Sequence, residues 1–146
     1  DGEIRAAVER LKPDRAAGED TITKEHYELL DEVGKQLLVD QVRTYWEEGK
    51  LPAGVADSLV VVLAKHGKDQ SKVEGWRPIA LLNFIARVYA SLLYLKLAAP
   101  LDVVMSEAQQ GFRPYRRAID NTLTVRLLTR QRKREGRGAA ALFVDL

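Results

Sequence analysis

The sequence predicts an α+β fold in which helices dominate and two short strands form a small partial sheet. Apolar residues recur at helical spacing over long stretches, for example at Leu38, Val42 and Trp46. Residues 59–63 form a continuous β-prone run, which predicts a strand buried on both faces. Residues 139–146 form a second such run and predict a final strand. Helices should therefore cover more than half of the chain.

Capping and helix-breaking residues predict where the first three helices begin and end. The helix through Ile4 and Leu11 should end before Pro13, because proline has no amide hydrogen and clashes with the preceding turn. A short helix should follow Thr23, a good N-cap residue. A longer third helix should end at Gly49, because glycine adopts the left-handed conformation of a C-cap.

The second half of the chain also predicts helices. Residues 81–97 carry apolar side chains at spacings that fit a mostly buried helix. Ser106 and Gln109 form a capping-box pattern that predicts a helix of a turn or two. A further helix should run from about Ile119 through a basic segment and end at Gly136.

Composition excludes several kinds of site and partner. The 146 residues include no cysteine and only two histidines, so neither disulfides nor a thiolate or histidine zinc site is expected. The longest apolar stretch, residues 79–101, is interrupted by Asn83, Arg87 and Lys96. Because a membrane helix needs roughly 18 uninterrupted apolar residues, the sequence predicts no membrane span.

Charge is distributed unevenly, although the net charge is only +2. Residues 1–32 contain ten acids and five bases, a net charge of −5, and residues 113–137 contain nine bases and two acids, a net charge of +7. A basic block of that density suits a polyanion, and a solvated helix face is the alternative interpretation. The candidate nucleic-acid patch consists of Arg116, Arg117, Arg130, Arg132, Lys133 and Arg134.

A single carboxylate, Asp145, lies in the second predicted strand. A lone carboxylate is costly to bury unless it is paired or bound to a metal ion. The strand alone leaves four roles open: a catalytic metal ligand, a phosphate-accepting aspartate, a ribose-binding acid of a dinucleotide fold, or an acid at an exposed strand end. Bases on turns near such an acid fit a site that neutralises a triphosphate while a metal ion holds the reacting oxygens.

Four ordered segments resemble the reverse transcriptases of non-LTR (LINE-type) retrotransposons. The segments are residues 12–20 (KPDRAAGED), 46–68, 76–83 (WRPIALLN) and 109–114 (QQGFRP). Residues 142–146 (LFVDL) look like the start of the family's F-x-D-x-x-x-A-F-D motif. The resemblance implies one truncated domain of a right-hand polymerase, with fingers in residues 1–137 and the first palm strand in residues 138–146.

Two positions depart from the family's pattern. Glu19 stands where the family usually has proline between glycine and aspartate. Arg-Arg-Ala at residues 116–118 replaces a commoner pattern of small residues with serine or threonine. The second change could alter template contacts without removing the site. Because the chain begins at Asp1 and stops within a predicted strand, we expect it to be a fragment of a longer protein.

The resemblance also implies roles for individual residues. Asp145 looks like the first catalytic, metal-binding aspartate, one ligand of two Mg²⁺ ions that activate the primer 3′-hydroxyl and steady the leaving pyrophosphate. Gly111 has two interpretations, close approach of the template-primer or a turn that needs positive φ. The partners would be an RNA template, a DNA primer and a dNTP. The residues implied in nucleotide or template binding are Lys65, Arg77, Gln109, Gly111, Phe112 and Arg113.

Three functions are compatible with these observations. The leading prediction is an RNA-directed DNA polymerase fragment that cannot polymerise alone, because the further carboxylates of the metal site are expected beyond Leu146. The second is a catalytically dead, retroelement-derived module that binds RNA through its basic helix. The third is an α/β phosphotransfer domain with Asp145 as phosphoacceptor, ranked last because that fold expects more alternating strands and helices.

Overall fold

The structure is a computed structural model that describes residues 1–142, in which α-helices cover just over half of the residues. The described chain contains six α-helices, a short 3₁₀ turn at Val73–Gly75 and two strands. The helices are α1 (Gly2–Glu9), α2 (Lys24–Glu28), α3 (Glu32–Glu48), α4 (Ala53–Ala56), α5 (Phe84–Val104) and α6 (Ala118–Arg134), and the strands are β1 (Ser58–Ala64) and β2 (Trp76–Leu82). This mixture of helices with a small two-stranded sheet confirms the predicted α+β class.

The two strands form an antiparallel hairpin. The register pairs Ser58 with Leu82 at one end and Ala64 with Trp76 at the other. The predicted strand at residues 59–63 is therefore confirmed. Its partner is β2, which was not among the predicted strands. Pro78 is compatible with β2 because a two-stranded sheet consists of edge strands, where an unpaired position needs no amide hydrogen.

Two predictions about the sheet were wrong. Six of the seven residues of β1 are exposed, so this strand is not buried on both faces. Each strand of a two-stranded hairpin has only one neighbouring strand. An apolar run is buried on both faces only where helices cover both sides of the sheet, so the run by itself does not guarantee burial. The strand predicted at residues 139–146 is absent from residues 139–142. The remainder of that prediction, residues 143–146, lies outside the described residues.

The predicted caps of the first helices are confirmed. α1 ends at Glu9, before Pro13. Thr23 precedes α2, and its backbone amide donates to His26 Nδ1 at 3.1 Å. Gly49 ends α3 with φ of 68°, the left-handed conformation that glycine adopts without steric cost. The short helix α4 was not predicted, because only four residues form it.

The chain divides into two compact units, residues 1–97 and 98–146. The first unit has an apolar core between α1, α3 and the first half of α5. Phe84 is fully buried there and its ring stacks on that of Tyr27, with centroids 6.0 Å apart. The buried members of this core are Ile4, Ala7, Val8, Tyr27, Val39, Val42, Phe84, Val88 and Leu92.

In the second unit, two local predictions were wrong. Ser106 and Gln109 form a turn and no capping box, because the Gln109 side chain donates to the Gly111 carbonyl instead. Positive φ falls on Phe112 at 61° and Tyr115 at 60°, and Gly111 is not among the residues with positive φ. The left-handed positions of this loop are thus occupied by two aromatic residues.

Helix α5 is long and apolar enough to cross a membrane by length and composition alone. This is weak evidence, since the core helix of a soluble protein passes the same test. The first half of α5 behaves as such a core helix, because Phe84, Ala86, Val88 and Leu92 are buried against the rest of the protein. Towards its middle, Lys96 forms an ion pair with Glu3 of α1.

Candidate nucleotide and nucleic-acid sites

The hairpin brings two of the predicted binding residues, Lys65 and Arg77, to the same end. Arg77 pairs with Leu63 across the hairpin, and Lys65 follows two residues after Leu63. The Lys65 amide donates to the Gly75 carbonyl at 2.8 Å, which extends the ladder by one position. Since side chains alternate along a strand and diagonal neighbours share a face, Lys65 and Arg77 belong to one face of the hairpin end.

The loop that closes the hairpin adds a second lysine to this end. A cavity of about 300 Å³ is lined by Lys65, Lys68, Asp69, Lys72, Glu74 and Gly75. The Trp76 indole Nε1 donates to the Gln70 carbonyl at 2.9 Å, which holds the loop against the end of β2. Among the described residues, Lys65 and Lys68 form no ion pair. The lining of this cavity thus contains three lysines and two acids, Asp69 and Glu74, so the cavity has a small excess of positive charge.

A second arrangement explains the glycine and aspartate of the segment at residues 12–20. Gly18 is buried, and a Cβ atom there would lie 2.6 Å from the backbone of Leu82 and Asn83. Asp20 accepts a hydrogen bond from the Phe84 amide at 2.6 Å and donates its own amide to Asn83 Oδ1 at 3.1 Å. These contacts fasten the segment to the junction between β2 and α5.

The same junction holds α4. Asn83 is buried, and its side-chain Nδ2 donates to the Gly54 carbonyl at 2.9 Å. Asn83 thus links Asp20 and Gly54 to the point where the hairpin ends and α5 begins. The sequence identified Gly18, Asp20 and Asn83 as parts of motifs but did not assign them this positioning role. Only contacts between residues 29 to 64 positions apart in the chain reveal it.

Arg113 lies in the second unit and its side chain is 4% exposed. Its Nε donates to Asp102 Oδ1 at 2.7 Å, and Nη2 donates to the Asp102 carbonyl at 3.3 Å. Nη1 donates to the carbonyls of Ser106 at 2.9 Å and Gln109 at 3.3 Å. In this arrangement the guanidinium group ties the end of α5 to the following loop, and its donors are directed at the protein rather than at solvent.

The electrostatics of this ion pair agree with the geometry. The hydrogen bond from Arg113 lowers the pKa of Asp102 below its ordinary value, because it stabilises the charged carboxylate. The same bond raises the pKa of Arg113. Both residues therefore remain charged over a wider pH range than either would alone.

The other predicted residues of this loop are exposed. Gln109 and Gly111 lie at the surface, and the Phe112 side chain is 100% exposed. Tyr115, which the sequence did not single out, is equally exposed. Two left-handed aromatic residues on one loop indicate backbone strain, since non-glycine residues rarely adopt positive φ.

The basic patch lies mostly on α6, none of whose residues is buried. The single acid of α6, Asp120, accepts from the Arg117 amide at 3.1 Å and so caps the helix start. Arg116 pairs with Glu107 at 2.5 Å. Among residues 1–142, no ion pair involves the four bases in the last two turns, namely Arg130, Arg132, Lys133 and Arg134. Their charge is available to a polyanion.

Asp145, the predicted catalytic and metal-binding residue, lies outside the described residues. Within residues 1–142, no group of three or more histidine, aspartate or glutamate side chains is placed to hold a metal ion. In the first unit, the structure places Lys65 and Arg77 on one face of the hairpin end. In the second unit it places Gln109, Gly111, Phe112 and Arg113 on one loop beside the start of α6.

The chain is similar to proteins of mobile elements. It is 27% identical over 145 residues, 98% of its length, to the "Transposon TX1 uncharacterized 149 kDa protein" of Xenopus laevis. It is 26% identical over 113 residues, 76% of its length, to the "RNA-directed DNA polymerase from mobile element jockey" of Drosophila funebris. The protein of the same name from Drosophila melanogaster is 25% identical over 113 residues. No family model matches the chain.

The chain spans only 11% to 12% of the length of these relatives. The identity is low, but the match to the Xenopus protein runs through almost the whole chain. It therefore includes both the hairpin with its basic end and the loop that Arg113 fastens. The homologues of this chain are proteins of LINE-type, non-LTR retrotransposons, which confirms the family resemblance of its ordered sequence segments.

Proposed function

We propose that the chain is the fingers and the start of the palm of an RNA-directed DNA polymerase with the right-hand architecture of reverse transcriptases. The names of the two jockey relatives support this activity. In this proposal residues 1–137 form the fingers, and residues 138–146 begin the palm. The remainder of the polymerase, including the other acids of its metal site, follows in the longer protein.

The observation that carries the proposal is that Lys65 shares one face of the hairpin end with Arg77 and lines a cavity with Lys68. In the described residues none of these three cations forms an ion pair, although Asp69 and Glu74 line the same cavity, and their donors suit the triphosphate of an incoming nucleotide. Arginine binds phosphate oxygens through two parallel donors, and lysine acts as a compact point charge. We assign the incoming dNTP to this hairpin end.

Asp145 is proposed as one metal ligand of the complete enzyme. A carboxylate oxygen is a ligand type that Mg²⁺ accepts, and two Mg²⁺ ions supply charge neutralisation at the attacking and leaving oxygens. Residues 1–142 contain no cluster that holds a metal ion by itself. The ions would therefore depend on Asp145 together with acids from beyond residue 146, and this chain alone should not polymerise.

The loop of residues 105–117 is proposed to contact the template. Gln109, Gly111 and Phe112 are exposed there and present an amide, a backbone free of side chain and an aromatic ring. Arg113 supports this surface from within, because its donors hold the carbonyls of Ser106 and Gln109. Its proposed part in template binding is thus to position the loop.

Primer extension on an RNA template tests the proposal. The complete polymerase should extend a DNA primer, and Asp145→Ala should abolish extension. Lys65→Ala and Arg77→Ala should raise the KM for dNTP more than they weaken RNA binding, whereas Lys50→Ala, an exposed lysine away from the hairpin end, should change neither. If residues 1–146 alone extended the primer and Asp145→Ala abolished that extension, the proposal that the metal site needs acids from beyond residue 146 would be contradicted.

A second candidate function is RNA binding without catalysis. The observation that favours it is the set of bases on α6 that no acid of the described chain neutralises. In this case the longer protein would bind RNA in a salt-dependent manner and lack primer extension. Measuring both properties on the same preparation separates the two candidates.

A further inference from the structure

The two outer edges of the hairpin differ in what they offer to another strand. Hydrogen-bonded and non-hydrogen-bonded pairs alternate along an antiparallel ladder. The Lys65 amide donates to the Gly75 carbonyl, so the odd-numbered residues of β1 bond inwards to β2. The amides and carbonyls of the even-numbered residues of both strands therefore point outwards. On β2 one of these outward positions is Pro78, which has no amide hydrogen to donate.

The outer edge of β1 has no such block. Within residues 1–142, no hydrogen bond from outside the hairpin reaches the backbone of residues 58–64. Val60 and Val62, whose amides and carbonyls point outwards, are 58% and 59% exposed. β1 contains neither a proline nor a charged residue, the features that commonly protect an edge strand from pairing. This edge can therefore be extended by another strand.

The residues that flank β1 carry opposite charges. Asp57 precedes the strand, is exposed and has an extended backbone, and Lys65 follows the strand. Neither residue forms an ion pair within the part of the chain that the structure describes. Both positions are odd-numbered, as Leu59, Val61 and Leu63 are, and side chains alternate along an extended segment, so all five belong to one face. β1 is thus a neutral apolar strand with an acid before it and a base after it.

An antiparallel second copy of β1 complements this arrangement in one register. With a two-fold axis beside Val61, Val60 faces Val62 of the second copy, and Asp57 faces Lys65 of the second copy. Val60 and Val62 both have outward-pointing amides and carbonyls, so this register satisfies the alternation of the ladder. Because the axis repeats each contact, two ion pairs form, one at either end of an apolar interface.

Other registers lose this complementarity. Sliding the two copies by one residue sets outward-pointing groups against inward-pointing ones, which breaks the hydrogen-bond pattern. Sliding them by two residues keeps the pattern but places Asp57 opposite Leu63 or Gly67 of the second copy, and both ion pairs are lost. The charges beside β1 therefore select a single register.

We propose that β1 pairs with β1 of a second copy of this chain in this register and so forms a continuous four-stranded antiparallel sheet. The two-fold axis makes the interface self-complementary and closes the assembly at two copies. Growth beyond the dimer is disfavoured because both outer edges of the new sheet are β2, with Pro78 at an outward position. Since β1 has only seven residues, we expect a weak dimer whose population rises with protein concentration.

This pairing goes beyond the proposed polymerase function and does not depend on it. Lys65 belongs to both surfaces, so its ammonium group is held either by Asp57 of the second copy or by a phosphate of the dNTP. Cross-linking and sedimentation measure the pairing without catalysis. If the pairing fails in these measurements, the proposed polymerase function is unaffected, and loss of primer extension would leave the pairing intact.

A cysteine placed at the two-fold axis tests the pairing directly, because the chain has no cysteine of its own. Facing residues of a non-hydrogen-bonded pair have Cα atoms about 4.5 Å apart, within the range of a disulfide. Val61→Cys should therefore give disulfide-linked dimers on mild oxidation, measured by non-reducing electrophoresis. The matched control is Ile79→Cys, since Ile79 pairs with Val61 on the same face and is also half-buried but lies on β2.

The control variant should remain monomeric. Equal cross-linking of Val61→Cys and Ile79→Cys would overturn the proposal. Stronger cross-linking of Val60→Cys or Val62→Cys than of Val61→Cys would also overturn it, because those residues lie on the axis only in the registers without ion pairs.

Sedimentation equilibrium of charge-reversal variants tests the ion pairs. Asp57→Lys or Lys65→Asp alone should raise the Kd of the dimer several-fold, because like charges then face each other twice. The double variant should restore the dimer, since it exchanges the charges and keeps the pairs. Lys50→Asp, a reversal at an exposed lysine outside β1, should leave the Kd unchanged.

Absence of rescue in the double variant would overturn the proposal. The same measurement on the complete protein identifies what occupies the edge. A dimer weakened by Lys65→Asp and rescued by Asp57→Lys supports pairing between copies. A complete protein that stays monomeric at all concentrations would assign the β1 edge to another strand of the longer protein and overturn the proposal.

Discussion

The carboxylate of Asp20 accepts a hydrogen bond of 2.6 Å from the backbone amide of Phe84, the first residue of α5. The first amides of a helix lack partners within the helix, so this contact satisfies one of them from a segment sixty-four residues away. The negative charge is also favourable at the positive end of the helix dipole. Because α5 follows directly from β2, the contact helps to orient the hairpin and its basic end.

Asp20→Ala should lower the free energy of unfolding by about 1 kcal/mol, the usual effect of losing a helix N-terminal acceptor. Chemical denaturation followed by circular dichroism measures this change. Glu19→Ala provides a matched control, since Glu19 is exposed and adjacent. Equal stability of the Asp20 and Glu19 variants would show that the hydrogen bond to Phe84 contributes little.

Gly18→Ala should be more disruptive, because the new Cβ atom would lie 2.6 Å from backbone atoms of Leu82 and Asn83. Overpacking against backbone costs about 1–3 kcal/mol, since the neighbouring chain must shift. Gly54→Ala is the control, because a Cβ atom there meets nothing within 4 Å. The expected result is a lower melting temperature for Gly18→Ala only, and a similar loss in both variants would contradict it.

Arg113→Lys should destabilise the loop of residues 105–117. Lysine cannot reproduce the planar fork that reaches Asp102, Ser106 and Gln109 together. Hydrogen exchange of the loop amides should therefore accelerate, while exchange in the core of the first unit stays unchanged. Arg116→Lys is the control, because Arg116 has a single acidic partner and is more exposed. Unchanged protection in Arg113→Lys would refute the positioning role.

The same ion pair predicts a pH dependence. The folded-state pKa of Asp102 lies below its ordinary value, so its contribution to stability is present above that ordinary value. The contribution should disappear as pH falls through the depressed pKa, when the carboxylate takes up a proton. Unfolding measured from neutral to acidic pH should show a smaller acid-dependent loss in Asp102→Asn than in the unchanged chain. Parallel curves for the two proteins would contradict this expectation.

Arg130→Ala together with Arg134→Ala should weaken RNA binding and reduce its salt dependence. Each base that neutralises a phosphate contributes a slope of about −0.7 on a single strand, so two losses should reduce the slope by about 1.4. Arg5→Ala with Lys50→Ala changes the net charge equally outside α6. Anisotropy titrations between about 50 mM and 200 mM salt measure the difference. An unchanged slope in the α6 variant would exclude the patch from the RNA interface.

Local features of the sequence predicted much of the helical structure. Thr23 and Gly49 mark the ends of α2 and α3 through capping chemistry that depends on a few neighbouring residues. The apolar run at residues 59–63 likewise predicted β1. Its partner β2 was not predicted as a strand, because strand pairing depends on residues outside the strand itself. The prediction that β1 is buried on both faces was wrong for the same reason, because an apolar run does not reveal which other segments pack on the strand.

By itself, the sequence determined the α+β class, the helix ends and the kinship with retrotransposon proteins, because propensity, capping and ordered motifs are properties of residues close together in the chain. The tertiary structure decided how distant residues meet. It brought Lys65 and Arg77 to one face of the hairpin end and directed the Arg113 guanidinium to Asp102. It also left the Nη1 atom of Arg87 buried without a hydrogen-bond partner, since pairing and burial arise only when separate segments pack together.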